Sequence, residues 1–189
     1  MEQRFFMKIP LDRVGVLIGP KGKTKSTLEK RFGVTLDIEG GSGSVEVRTS
    51  LADNDVSRLF AVQNVIKAIE RGFNPKKAEK LAEEDYDLLI IDLEEYARSR
   101  NSIERIKGRI IGKDGSSRKM LEELTDAFIS VYGDTVSIIG KLDNIETAKE
   151  AVMMLIKGAF HKTVWNFLYA ERRKRKREQI RLWEGGPEI

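Results

Sequence analysis

The apolar positions of the chain change period in a set order, and they run through that order twice. Residues 5–9 read as a short strand that Pro10 stops, and residues 11–18 as a short helix. A second helix over 24–32 has Gly33 placed as its C-cap. Val34, Leu36 and Ile38 then alternate as a half-buried strand, and Gly40-Gly41-Ser42-Gly43 turns the chain into a partner strand over 44–48. A long helix starting at Asp53 or Asn54 lines up Leu59, Val62, Ile66 and Ile69 on one face and stops near Gly72. Asn74-Pro75, as N-cap and first helical residue, opens a short, highly charged connector helix over 76–84.

The second pass predicts a strand over 88–93, helices over 103–111 and 116–125, strands over 128–132 and 135–139, and a helix over 144–157. A last helix over 161–182 starts apolar (Val164, Trp165, Phe167, Leu168, Tyr169) and ends basic. Side chains repeat along with the elements. Leu28 matches Leu121, Val34, Leu36 and Ile38 match Ala127, Ile129 and Val131, and Val45 and Val47 match Val136 and Ile138. Further on, Val65, Ile69 and Phe73 match Val152, Ile156 and Phe160. The fold class is therefore α+β, with two tandem β-α-α-β-β-α modules, each a three-stranded antiparallel sheet packed by helices. The expected layout is a first module over 1–73, a charged helical linker over 74–86, a second module over 87–160 and a C-terminal aromatic and basic helix with its tail over 161–189.

Between the first two helices of each module lies a short glycine loop. Ile18-Gly19-Pro20-Lys21-Gly22-Lys23 recurs 93 residues later as Ile111-Gly112-Lys113-Asp114-Gly115-Ser116. Such a loop exposes backbone N–H groups and a positive helix N-terminus, a seat for a phosphate. Lys21 and Lys23, or Lys113 and Arg118, supply charge-assisted contacts. Gly22-Lys23-Thr24 mimics the end of a nucleotide-binding P-loop, but that motif needs glycine at position 17, where the chain has leucine. Asp114 opposes an incoming phosphate, while Arg105, Lys107, Arg109, Lys113, Arg118 and Lys119 surround it with positive charge. Neither loop holds an aromatic residue for stacking, so modest affinity per module is expected.

This element order, with Ile-Gly-x-x-Gly between the first two helices, resembles the K-homology (KH) RNA-binding module of type I topology. The resemblance implies that each loop clamps the backbone of about four nucleotides of single strand. It implies an apolar groove between the helix pair and the adjacent strand, floored by Ile18 and Leu28 or by Ile111 and Leu121. Two such modules, a short charged helix between them, and His161-Lys162-Thr163-Val164-Trp165 leading into a basic run are similar to the partner-of-Nob (Dim-two) and Krr families of pre-ribosomal proteins, in their archaeal form. That likeness implies a small-subunit ribosome assembly factor binding near the 3′ end of small-subunit rRNA. Its implied partners are the endonuclease that trims that end and other assembly or translation factors. Eukaryotic members tend to lack the first glycine loop, whereas Gly19 and Gly22 are both present here. The second module, with more flanking positive charge, is the expected principal reader. An RNA-decay binder associated with the exosome and a protein-interaction adaptor are the alternative readings.

Charge narrows the contact surface. The net +4 hides a run, Arg172-Arg173-Lys174-Arg175-Lys176-Arg177, that carries +6 alone and leaves −2 for the rest. Basicity is thus local, which favours defined patches over indiscriminate polyanion binding. Arg109, Lys119, Arg172, Arg173, Lys174 and Arg175 are the expected auxiliary phosphate contacts. The run also has a plain reading as a solvated helix end, and a third as a targeting or protein-docking signal. Trp165, Phe167 and Tyr169 are expected to pack the final helix on the second module, with a binding surface for a protein partner as the alternative, and His161 to be a cap or surface residue. With no cysteine, one histidine and no hydrolase or metalloprotease motif, no catalytic centre, metal or cofactor is expected. The lack of cysteine, of a signal-peptide pattern and of a long apolar run fits a cytoplasmic protein without membrane contact.

Overall fold

Alternating burial decides which face of the first sheet meets the helices. A computed structural model describes residues 3–49 and 56–184, and the chain divides into two compact units, Met1–Leu88 and Leu89–Ile189. In the first unit β1 (Gln3–Lys8), β2 (Val34–Glu39) and β3 (Ser44–Thr49) form an antiparallel sheet of order β1-β3-β2. Val47 stands opposite both Phe5 and Leu36, and Val45 opposite both Met7 and Ile38. Val34, Leu36, Val45 and Val47 therefore share one buried face. The covering helices are α1 (Leu11–Ile18), α2 (Lys23–Phe32) and α3 (Val56–Glu70). Their Leu17, Leu28 and Ile66 are fully buried, each contributing about 2 kcal/mol of transfer free energy. The expected start of α3 at Asp53 or Asn54 lies outside the described residues.

The segment expected as a charged connector packs within the first unit. It is α4 (Pro75–Ala78) followed by a 3-10 turn, Glu79–Ala82, with Ala78 and Leu81 buried against α3. Asn74 caps it as expected, accepting the Lys77 N–H at 2.9 Å. Charge on the outward positions had hidden this seat.

In the second unit β4 (Tyr86–Asp92), β5 (Phe128–Tyr132) and β6 (Thr135–Lys141) repeat the order as β4-β6-β5. Covering them are α5 (Arg100–Ile111), α6 (Ser116–Thr125), α7 (Leu142–Ile156) and the long α8 (His161–Glu184). Helix α5 starts three residues earlier than apolar spacing predicts, because Ser99 caps it by accepting the Ser102 N–H.

Glycines place the third helices of the two units in a register different from the expected one. Gly72 and Gly158 follow those helices at φ 92° and 95°. Gly72 N–H donates to Ile69 O and Gly158 N–H to Leu155 O, both at 3.1 Å. Phe73 and Ala159 close the wider ring of the same Schellman cap, onto Ala68 O and Met154 O. Ile69 thus matches Leu155 rather than Ile156, and Phe73 matches Ala159 rather than Phe160. Exposure agrees: Phe73 is 2% exposed and Phe160 80%. Apolar spacing tolerates a one-residue slip that a left-handed glycine does not. The same register carries the repeat further. Ala78 N–H bonds to Asn74 O as Val164 N–H bonds to Phe160 O, and Ala78 and Val164 are both fully buried. Helix α4 is the short counterpart of the first turn of α8.

Candidate nucleic-acid interface

Each glycine loop is a single 3-10 turn, Pro20–Gly22 or Lys113–Gly115, wedged between two helices. The two backbones are nearly the same. The first glycine has φ 73° and ψ 172° in Gly19, and φ 71° and ψ 174° in Gly112. The third residue is left-handed in both, Lys21 at φ 53° and ψ 30°, Asp114 at φ 53° and ψ 27°. The second glycine, Gly22 or Gly115, is left-handed and occupies the N-cap of α2 or α6 with no side-chain cap bond there. Each helix thus turns its uncapped positive end towards the loop.

The two glycines of each loop serve different ends. A Cβ on Gly19 would lie 2.1 Å from Thr24 Oγ1, and one on Gly112 2.6 Å from Ser117 Cβ. The first glycine is closed against its own helix and lets that helix start tightly. A Cβ on Gly22 would meet nothing within 4 Å, and one on Gly115 only Arg118 Nη2 at 3.8 Å. The second glycine faces open space, where a phosphate can approach the main chain. Sequence reasoning gave both glycines the same task.

The expected side chains divide into two groups. Pro20, Lys21, Lys23, Lys113, Asp114 and Lys119 are exposed around the loops, with Arg118 and the isoleucines Ile18 and Ile111 half-buried beside them. Leu28 and Leu121, expected on the groove floor, are 0% exposed and lie inside the two cores. One turn into α2 and α6, their positions point at the sheet, so they shape the groove only from beneath. Arg109 is also turned inward: its guanidinium donates to Leu155 O at 3.3 Å and to Ala159 O, holding the C-terminus of α7. Arg13 makes the equivalent bonds in the first unit, to Ile69 O and Phe73 O, both at 2.7 Å. Lys107 Nζ is 2.9 Å from Glu104 and 3.9 Å from Asp134. The second loop is thus less positively flanked than the sequence suggests.

The basic run does not act as one patch either. Arg175, expected to meet phosphate, donates to Asn144 Oδ1 at 2.6 Å and to Leu124 O at 3.5 Å, fastening α8 to the body. Lys174 shares a surface depression with Asp143, Glu146, Glu150, Glu171 and Glu178, so its charge is locally matched. Arg172 and Arg173 remain exposed. A helix spreads six consecutive residues around its whole circumference, and only part of it can face one ligand.

Several residues beside the loops were not placed there from sequence. Gly15 and Gly108 sit inside α1 and α5, four residues before the first loop glycine, exposed and with nothing within 4 Å of an added Cβ. Glycine within a helix costs about 0.5–1 kcal/mol relative to alanine. Its return at both places leaves a bare step of helix beside each loop. Glu29 Oε1 accepts the Leu36 N–H at 2.9 Å and Glu122 Oε1 the Ile129 N–H at 2.8 Å, tying α2 to β2 and α6 to β5. His161 and Trp165, distant in sequence, line a cavity of about 290 Å³ with Gly112, Lys113, Ser116, Ser117 and Met120. Among the described residues no group of His, Cys, Asp or Glu is placed to hold a metal ion, and no helix is long and apolar enough to cross a membrane.

Residues 87–173 match the family described as eukaryotic type KH-domain (KH-domain type I), and residues 4–71 match the KH domain family. A KH domain-containing protein of Methanocaldococcus jannaschii is 48% identical over 178 residues, covering 94% of this chain and 78% of that protein. The pre-rRNA-processing protein pno1 of Emericella nidulans is 34% identical over 155 residues, which are 80% of this chain but 60% of the fungal protein. Among solved structures, a chain of the a/eIF2alpha–aDim2p–rRNA complex of Pyrococcus horikoshii OT3 aligns with a TM-score of 0.85 at 37% identity, covering 92% of this chain and 96% of that one. With two KH domains, two intact glycine loops and relatives of this kind, the chain belongs to the Pno1/Dim2 family of tandem KH-domain proteins.

Proposed function

We propose that this protein binds single-stranded RNA at the 3′ region of small-subunit rRNA and serves there as a non-catalytic assembly scaffold. The observation that carries the reading is the shared geometry of the two loops. Each ends on a left-handed glycine with open space before it and a helix N-terminus behind it. A phosphodiester seated there meets main-chain N–H groups at close range, and lysines stand at the rim. The pre-rRNA-processing relative and the rRNA in the aDim2p complex favour ribosomal RNA over messenger RNA. The presence of a/eIF2alpha in that complex supports a translation factor as one protein partner. The endonuclease that trims the rRNA end is a further partner on this reading, and the site of action is cytoplasmic.

Crosslinking in cells followed by sequencing of the bound RNA tests this, with Lys21→Asp and Lys113→Asp beside the wild type. Asp114 already occupies the left-handed position equivalent to Lys21, so Lys21→Asp changes charge without a new backbone demand. Reads gathered at the small-subunit rRNA 3′ region and lost in the variants are expected. Reads scattered over mRNA would refute the ribosomal assignment. Undiminished binding in both variants would refute the loop mechanism and favour a protein adaptor.

A further inference from the structure

Beside the second loop, on the flank away from the sheet, lies the cavity formed with the start of α8. Ser116 and Met120 of α6 line it, whereas Glu122 of the same helix reaches β5. Positions 116 and 120 are separated from 118 and 122 by about 200° around the helix axis. The loop therefore has two flanks, one towards β5 and one towards α8.

The α8 flank is aromatic. Trp165 packs its inner edge on the core of the second unit and is half-buried. His161 stands 5.7 Å from it, ring centre to ring centre, at 44°. His161 Nε2 lies 2.8 Å from Arg109 O. A carbonyl only accepts, so Nε2 carries the proton and the imidazole is fixed against the end of α5. The histidine thus braces the indole. Ser117, whose Oγ has no hydrogen-bond partner among the described residues, forms part of the wall, and Lys113 stands at the mouth. The cavity is at the lower end of small-ligand pockets in size, which suits one planar group and not a helix.

In the first unit the positions equivalent to this wall are not aromatic. In the register fixed by the Schellman caps, His161 corresponds to Pro75 and Trp165 to Glu79, whose carboxylate lies 3.5 Å from Arg31. The two loops share a backbone, but at the position of Trp165 the first unit carries a carboxylate in place of an aromatic ring.

We propose that this cavity is a nucleobase subsite, in which an unpaired RNA base next to the loop-bound phosphate stacks on Trp165. Continuity with the loop decides the ligand: the cavity is lined by Gly112 and Lys113 of the loop whose far end, at Gly115, is open to a phosphate, so the same strand reaches both. Stacking on an aromatic face tolerates any base and adds affinity without sequence readout. The subsite makes the second module the tighter grip through apolar contact rather than through charge. It rests on RNA binding at the second loop, as proposed above.

The test uses the full chain and the single-stranded small-subunit rRNA 3′ oligonucleotide, resynthesised with one abasic site at each position in turn. In wild type, removal of one particular base is expected to weaken binding on the order of tenfold. In Trp165→Leu, which keeps an apolar contact with the core, that position loses its penalty. In Trp165→Phe, which keeps an aromatic face, the penalty returns. The same abasic profile in wild type and Trp165→Leu would overturn the subsite while leaving the loop reading intact. No binding by wild type, or full binding by Lys113→Asp, would overturn RNA binding at the second loop and the subsite together.

Discussion

The Glu122 carboxylate accepts the backbone N–H of Ile129 at 2.8 Å, so a residue of α6 holds the outer edge of β5. Glu29 and Leu36 repeat the bond at 2.9 Å in the first module. In each module it joins the helix that follows the loop to an edge strand of the sheet. A partly buried hydrogen bond to a charged acceptor is worth about 1.5–3 kcal/mol. Glu122→Ala should lower thermal stability accordingly, and Glu122→Gln, which keeps an acceptor, should lower it less. Equal melting temperatures for the two variants would refute the role of the bond.

The two glycines of a loop should fail differently. Gly112 occupies a backbone region essentially confined to glycine, which costs about 1–3 kcal/mol for other residues. The added methyl would also stand 2.7 Å from Ser117 N. Gly115 has only the left-handed cost, about 1–2 kcal/mol, and no clash. Gly112→Ala should lose much of its melting temperature, whereas Gly115→Ala should stay folded and lose RNA affinity. Thermal unfolding beside fluorescence anisotropy separates the two.

Asp114→Lys should tighten RNA binding. Lys21 shows that lysine accepts this backbone conformation, so the change adds positive charge without added strain. Each new phosphate contact to a single strand steepens the dependence of log affinity on log salt by about 0.7. A salt titration of the variant beside wild type reads this directly. An unchanged slope would mean that residue 114 faces no phosphate.

Within the basic run, Arg175 and Arg172 should separate stability from binding. Arg175→Ala removes the bonds to Asn144 and Leu124 and should destabilise the second unit by about 1–3 kcal/mol. Arg172→Ala with Arg173→Ala should leave unfolding unchanged and weaken RNA binding at low salt more than at high salt. Denaturant unfolding and salt-dependent binding assays check each half.

Acid should reveal Glu70. Burial raises its carboxyl pKa, and the charges of Arg71 and Lys67 only partly offset this. A carboxyl raised on folding binds protons more readily in the folded state, so its ionisation opposes folding. That penalty is complete above the folded pKa and fades as pH falls through it towards the unfolded value. Glu70→Gln should therefore be more stable than wild type at neutral pH, by a margin that shrinks in mild acid. A margin independent of pH would refute the burial argument.

Periodicity made most of the architecture legible. Helices α1 and α6 and strand β5 fall on the expected residues, because a proline or glycine stands at one end of each at least: Pro10 and Gly19 about α1, Gly115 before α6 and Gly133 after β5. What the sequence hid was direction. Nothing in the string shows that Arg109 turns towards Leu155 while Lys113 turns outward, or that Leu28 points at the sheet. Arg13 and Arg109 hold equivalent carbonyls from positions a turn apart, so even an internal repeat would not have exposed the pairing. The aromatic wall escaped because Trp165 is 52 residues from Lys113, and the path of α8 joins them.

The kinship of α4 with the start of α8 bears on how the protein can be taken apart. A fragment cut after residue 73 would leave the part of α3 that meets Ala78 and Leu81 open to water, and it would tend to associate or unfold. Moving the cut to residues 83–85 retains that cover and still leaves β4 to the other half. A first module dissected for binding studies should carry its short fourth helix, so that its weakness or strength towards RNA reports the loop rather than an uncovered flank.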